Sequence, residues 1–346
     1  MERCFVQAGK LERPFSYSAQ VHTRGYSLPL QRRITDFGAD DSFSDINAKL
    51  KEHYGITVPV SSARVITLRH AEQMRQTEKV QTDIPERKGV ECVIGEVDGS
   101  MIPIVSNPPE PCAEGPVDRR KRKQLGWQEA RLTVAHAQGA VTSFFGATMG
   151  SCYEAGNHLI HCAILAGMGQ ETKVHCVGDG APWIADQVNR VFGLQGEYLI
   201  DYYHLCEYVA AAAQSCAPPA QRQAWIEQQQ TAAKESRITD ILATLSPHLE
   251  PESVPNKDAP VRSAYRYIQN RLDQFDYKSA QEAGLPIGSG EVEGGHRSII
   301  QERLKIPGAW WKEDNAHHML SLRTLRANGD WDHYWQRQES PSRMLC

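Results

Sequence analysis

Two apolar runs in this sequence each end in a lone acid flanked by small residues: Val97-Asp98-Gly99-Ser100 and Val177-Gly178-Asp179-Gly180-Ala181. Such runs read as strands, and the second, from Lys173 to Asp179, is of the buried type. An acid beside glycine at a strand end projects at the rim of a sheet, where a cation can approach. The same dipeptide is also ordinary turn chemistry, because Asp-Gly is common after strands. A third acid moves the reading toward a site, since a helix opens at Glu291-Val292-Glu293 directly after the turn Gly288-Ser289-Gly290.

Around these acids the chain changes texture several times. Residues 1–38 are punctuated by Pro, Gly and Ser and read as a loosely packed arm. Residues 39–75 hold two short helices. The first starts near Asp40-Asp41-Ser42-Phe43-Ser44, carries Ile46, Leu50 and Tyr54 at four-residue steps, and stops at Gly55. The second runs from Ser61-Ser62 through Ala71. Joined by a Gly-containing turn, the pair matches a helix-turn-helix whose second helix can enter a major groove, with a plain packing unit as the alternative. Residues 76–90 are a polar linker.

The next block, 91–206, has α/β texture. Two strands are expected to meet around Asp98-Gly99, followed by strands over 129–137 and 140–148, a helix over 155–168, the strand ending at Asp179, a helix over 182–192 and a strand over 197–201. Residues 207–281 turn helical, with Tyr265, Ile268, Leu272 and Phe275 on one helix face, and 282–346 supply a final helix and tail. The fold class is therefore α/β, a mixed sheet with an all-helical insertion, preceded by a small helical region.

Composition sets bounds on function. No run approaches the roughly 18 apolar residues of a membrane span, and Met-Glu-Arg-Cys does not open a signal peptide, so a cytoplasmic protein without a membrane partner is expected. The nine cysteines form no Cys-x-x-Cys pair, which removes the basis for a zinc ribbon and points to structural thiols. A net charge of −4 is not that of a DNA-coating protein. Phosphate binding depends on the local face, however, and Arg119-Arg120-Lys121-Arg122-Lys123 is locally dense in cations.

Three converging carboxylates repel one another unless a cation neutralises them. Mg²⁺ takes carboxylate oxygens and keeps water or phosphate oxygens in its remaining positions. Two such ions about 4 Å apart can serve phosphodiester displacement by activating the attacking oxygen and stabilising the leaving one. Hard oxygen ligands are what that chemistry needs.

The blocks Val97-Asp98-Gly99-Ser100, Gly178-Asp179-Gly180-Ala181-Pro182-Trp183-Ile184, Asp201-Tyr202-Tyr203-His204-Leu205-Cys206-Glu207 and Pro286-Ile287-Gly288-Ser289-Gly290-Glu291-Val292-Glu293 resemble the signatures of bacterial insertion-sequence DDE transposases of the ISKra type. These are Mutator-like relatives with a ribonuclease-H-like core. Arg303-Leu304-Lys305-Ile306-Pro307-Gly308-Ala309-Trp310-Trp311, Leu322-Arg323 and Gly329-Asp330-Trp331 resemble the family's C-terminal region, and the likeness covers most of residues 28–335. It implies Asp98, Asp179 and Glu293 as catalytic metal ligands, with Glu291 the neighbouring choice for the third. It also implies two Mg²⁺ ions (Mn²⁺ substituting), and Asp201 and His204 as an accessory pair, against which stand a capping Asp and a structural His.

The expected activity is cleavage of element ends and strand transfer into target DNA. Partners would be terminal inverted repeats and target DNA, bound by a dimer or larger assembly. Phosphate or base contacts are expected from Arg119, Arg120, Lys121, Arg122, Lys123, Arg303, Lys305 and Trp310, while Trp183, His317 and His318 read as packing residues. The chain departs from the family in Gly308-Ala309-Trp310-Trp311, which lacks a cation found there, and in a short N-terminal region. The rival readings are a ribonuclease-H-like nuclease or resolvase without strand transfer, and a non-catalytic helix-turn-helix DNA-binding derivative.

Overall fold

The computed structural model describes residues 5–7, 10–12, 25–106 and 123–339. Strands β1 (Phe5–Gln7) and β2 (Lys10–Glu12) pair with each other, apart from the main sheet. The main sheet is built on one long hairpin, β3 (Cys92–Ser106) and β4 (Gln124–Ala137), registered without a break from Val93–Ala137 to Ser106–Gln124. β5 (Phe144–Thr148) adds antiparallel to β4, while β6 (Lys173–Gly178) and β7 (Gly196–Ile200) add in parallel on the other side of β3. The result is a mixed α/β fold with a five-stranded mixed sheet in the order β5-β4-β3-β6-β7.

This corrects the expected break at Asp98-Gly99. Asp98 pairs with Leu132 and Gly99 with Arg131 in mid-strand, so no turn forms there. Gly99 leaves room for the Glu129 carboxylate, which a Cβ there would meet at 2.3 Å from Oε1.

Helices α1 (Leu28–Asp40), α2 (Asp45–Tyr54) and α3 (Val60–Thr77) precede the sheet. The arm expected over 1–38 is thus replaced from Leu28 onward by a helix, with Pro29 tolerated in its first turn. Gly38 lets α1 lie against α3, because a Cβ there would meet Thr67 Oγ1 at 2.3 Å. Ile34, Ile46, Leu50, Val58, Ala63 and Ile66 form the core of this unit, each large aliphatic contributing about 1.5–3 kcal/mol by burial. Ala71 and Met74 of α3 belong to the main core, so the helical pair is continuous with the body despite the irregular stretch that follows it.

Alternation along the strands gives the sheet two buried faces. Val93, Val97 and Ala135 pack on α4 (Cys152–Leu165) and α5 (Pro182–Phe192). Ile102, Ile104, Ala130, Leu132 and Val134 pack on the C-terminal helices. Beyond β7 come α6 (Tyr202–Cys216), α7 (Arg222–Lys234), α8 (Ile238–Leu245), α9 (Pro260–Gln269) and α10 (Tyr277–Glu282), which share a separate apolar cluster with Leu199 and Ile200. The expected helix face through Leu272 and Phe275 is not formed. α9 ends at Gln269, and Arg271 turns back to donate to the Gly180 carbonyl at 2.6 Å.

The chain returns through α11 (Gly290–Gly295), a π-helical turn (His296–Gln301) and α12 (Glu302–Leu304), then α13 (Glu313–Ala327) and α14 (Trp331–Glu339). The described cysteines are free thiols, and burial pushes the Cys162 thiol up to about 12. No helix among the described residues is long and apolar enough to cross a membrane.

Candidate active site

β6 stops one residue before Asp179. Asp179 Oδ1 accepts the Ala181 N–H at 2.8 Å, and Gly180 turns the chain with φ +85°. The last registered pair between β3 and β6 is Val97–Gly178, which leaves Asp98 and Asp179 at the next level of adjacent parallel strands. β3 continues past this point. Its edge is joined again only farther on, where the Trp311 N–H donates to the Pro103 carbonyl at 3.1 Å and the Val105 N–H to the Trp311 carbonyl at 2.7 Å. Between the two, Asp98–Ile102 have no registered strand partner on that side of β3.

Alternation places Glu96, Asp98 and Ser100 on the face of β3 that α11 covers. Glu96 is 2% exposed, and its Oε2 accepts the Val292 N–H at 2.7 Å. Burial, and then the Glu291 and Asp201 charges, push its carboxyl up to about 7 against the opposing pull of the α11 backbone N–H groups. Asp201 is equally buried. Its Oδ1 accepts the Tyr203 and His204 N–H groups at 2.6 and 3.2 Å, and its Oδ2 accepts the Ser289 N–H at 2.7 Å and the Ser289 hydroxyl at 2.5 Å. Asp201 is the cap of α6 and a clasp on the turn that opens α11, with both its oxygens engaged in those bonds.

Glu291 and Glu293 are both exposed. They lie about 200° apart around the helix, whereas His296 comes within about 60° of Glu293. His296 is buried, with Nε2 3.0 Å from Asp98 Oδ2, although neither ring nitrogen completes a hydrogen bond of good geometry. The Glu293 side of the helix is thus the side that reaches Asp98, while Glu291 accepts from the Ser143 hydroxyl at 3.3 Å on the β4–β5 connection.

Burial alone would raise the Asp98 carboxyl. The His296 contact, the Gly99 N–H at 2.7 Å from Oδ1 and the more distant His204 imidazole outweigh it and hold the carboxyl below its ordinary value. Lys305 donates to the Ser100 hydroxyl at 2.7 Å, and burial lowers its ammonium while the Asp98 charge opposes that shift. His204 is half-buried. Asp98 thus has His296 in contact, Asp179 beside it on the adjacent strand, and His204 and Lys305 near enough for their charges to act on it.

The helical insertion grips the Asp179 turn. Tyr267 donates to the Asp179 carbonyl at 2.7 Å, Arg271 to the Gly180 carbonyl, and the Gly180 N–H to the Tyr198 hydroxyl at 3.0 Å. Trp183, in the first turn of α5, is partly buried against the cluster between the sheet and α4, its ring 5.4 Å from the Arg131 guanidinium.

Of the residues expected to meet DNA, Arg303 does not face solvent. It is 2% exposed, donates to the Gly38 carbonyl at 2.9 Å and stacks on Phe43 and Trp311, because the last carbonyls of α1 need donors. Trp311 is buried, whereas Trp310 is exposed and meets exposed Trp127 at 6.3 Å between ring centres. Lys123 is exposed, and Arg119, Arg120, Lys121 and Arg122 lie outside the described residues. His317 is a packing residue against Thr148, and burial drives its imidazole down to about 3.

Sequence reading missed Glu96 and His296. Glu96 carried a signal as the one charged residue in Val93-Ile94-Gly95-Glu96-Val97, and His296 lies one helical turn beyond Glu293. Among the described residues no three His, Cys, Asp or Glu side chains converge on a single cation position. Asp98 and Asp179 are hard-oxygen donors side by side, a set that fits a divalent cation once His296 yields Asp98 Oδ2.

A family model described as "Uncharacterised protein family (UPF0236)" matches residues 168–339, just under half of the chain. Two UPF0236 proteins of Caldanaerobacter subterraneus subsp. tengcongensis are each 25% identical over 157 residues, 45% of this chain and 31% and 30% of their own lengths. The matched part therefore spans under a third of those relatives. A further relative from that organism, 25% identical over the same share of the chain, bears a name that joins eleven locus designations. Among solved structures, the Drosophila P element transposase strand transfer complex aligns over 95% of this chain and 84% of that one, at 8% identity and a TM-score of 0.31, which is too low to argue from.

Proposed function

We propose that this chain is a DDE-type transposase of the ISKra type with a ribonuclease-H-like core, cutting phosphodiesters at element ends and joining them to target DNA. The observation that carries this reading is the placement of Asp98 and Asp179 at one level of adjacent parallel strands, with His296, one helical turn beyond Glu293, in contact with Asp98. The relative whose name joins many loci lends independent support, because multiplication within one genome is what a mobile element does.

Asp98, Asp179 and Glu293 would hold Mg²⁺, which when bound activates the attacking oxygen and stabilises the leaving one. The remaining steps fall to the chain itself. The phosphodiester would approach along the unpaired edge of β3 at Asp98–Ile102. Lys305, anchored on Ser100, offers a cation to a non-bridging phosphate oxygen. His204, whose charge acts on Asp98, would orient the attacking water or hydroxyl. Exposed Trp310 and Lys123 extend the contact along the DNA, and two copies pair the two ends.

The test is to incubate the full chain with end-labelled DNA carrying the element's terminal repeats, a target plasmid and Mg²⁺. Nicked ends and joined products are expected. Cleavage without joining would assign the site to a nuclease, and binding without cleavage to a DNA-binding derivative.

A further inference from the structure

We propose that Glu96 is a positioning residue, which holds the first turn of α11 against β3 so that Glu293 stands at a fixed height above Asp98. The inference rests on the reading of Glu293 as a metal ligand. Glu96 and Asp98 are two residues apart on one face of one strand, hence roughly 6.6 Å apart along it. The Glu96 carboxylate grips the Val292 N–H, and Val292 directly precedes Glu293. Only one side chain and one hydrogen bond therefore separate the strand bearing the first acid from the helix residue bearing the third.

The grip is needed because α11 is short and opens within Gly288-Ser289-Gly290, a segment with little stiffness of its own. Asp201 fixes that segment at Ser289. A single anchor leaves the helix free to pivot about it, and a second anchor three residues on removes the pivot. Glu96 is that second anchor, and it is buried.

Mn²⁺ affinity of the full chain, read from the electron paramagnetic resonance of free Mn²⁺, tests this without relying on turnover. Glu96→Ala is expected to weaken binding about tenfold, as loss of an outer-shell partner does. Glu96→Gln keeps an acceptor of the same reach and is expected to stay within about threefold of wild type. Glu96→Asp, one methylene short, is expected to fail like Ala. In a Glu293→Ala background the Glu96→Ala loss should vanish, because Glu96 acts through Glu293. The same loss in both backgrounds, or none in either, overturns the proposal. If Glu96→Ala does not fold, the Gln and Asp variants carry the comparison, and equal affinity for the two overturns it. Asp98→Asn leaving Mn²⁺ affinity unchanged would instead remove the metal-site reading, and this proposal with it.

Discussion

Replacing Gly180 by alanine strikes the link between the helical insertion and the second acid. The backbone there has φ +85°, and an added Cβ would lie 2.6 Å from the Tyr267 hydroxyl. Left-handed backbone costs a Cβ-bearing residue about 1–2 kcal/mol. Pushing Tyr267 aside also breaks its bond to the Asp179 carbonyl, worth about 1 kcal/mol. The expected loss of stability is therefore about 2–3 kcal/mol, measured as a shift in the urea midpoint at unchanged slope. Tyr267→Phe removes the atom that clashes, so in Gly180→Ala/Tyr267→Phe the second change should cost less than it does alone. A Gly180→Ala loss below about 0.5 kcal/mol, within the range of an ordinary surface change, would show that the insertion does not hold the Asp179 turn.

Arg303→Ala should destabilise the chain by about 3 kcal/mol or more through lost burial and an unpaired helix end, without altering the salt dependence of DNA binding. Lys305→Ala should do the reverse, reducing the slope of log affinity against log salt by about one; equal slopes for wild type and Lys305→Ala would exclude a phosphate contact. His296→Ala should tighten Mn²⁺ binding in a calorimetric titration by freeing Asp98 Oδ2, and weaker binding would mark His296 as a ligand instead. Burial, then the Arg69 charge, drives His70 down to about 4, and burial, then Arg75, does the same for His158. Both imidazoles are held neutral in the folded state, so their contribution is complete above pH 6.5 and is lost as pH falls toward 4. Unfolding by urea at pH 5.5 should find on the order of 1 kcal/mol less stability per histidine than at pH 7.5, and His70→Gln should remove its share of that difference.

What the sequence made legible was local. The strand into Asp179, the helices over 182–192 and from Ser61, and the helical block after Asp201 follow from patterns within one element. Where partners lie far along the chain, pattern alone misleads. Asp98-Gly99 reads as a turn, yet fourteen cross-strand pairs keep it extended. Pro29 and Gly38 look like breakers, yet one sits in a first turn and the other is needed to clear Thr67. Arg303 looks like a phosphate ligand because nothing near it in sequence reveals that α1, some 265 residues earlier, ends against it. Glu96 and Asp201 are the same lesson in acids: each serves a turn distant in sequence, and only the fold shows that Asp98 and Asp179 stand on neighbouring strands.

Mg²⁺-dependent cleavage of labelled element-end DNA, compared across Asp98→Asn, Asp179→Asn, Glu293→Gln and Glu291→Gln, bears on the centre of the account. The first three should lose nearly all activity while remaining folded, and Glu291→Gln, on the Ser143 side of α11, should keep it. An Asp179→Asn chain that cleaves as well as wild type, or a Glu291→Gln chain that fails where Glu293→Gln survives, would contradict it.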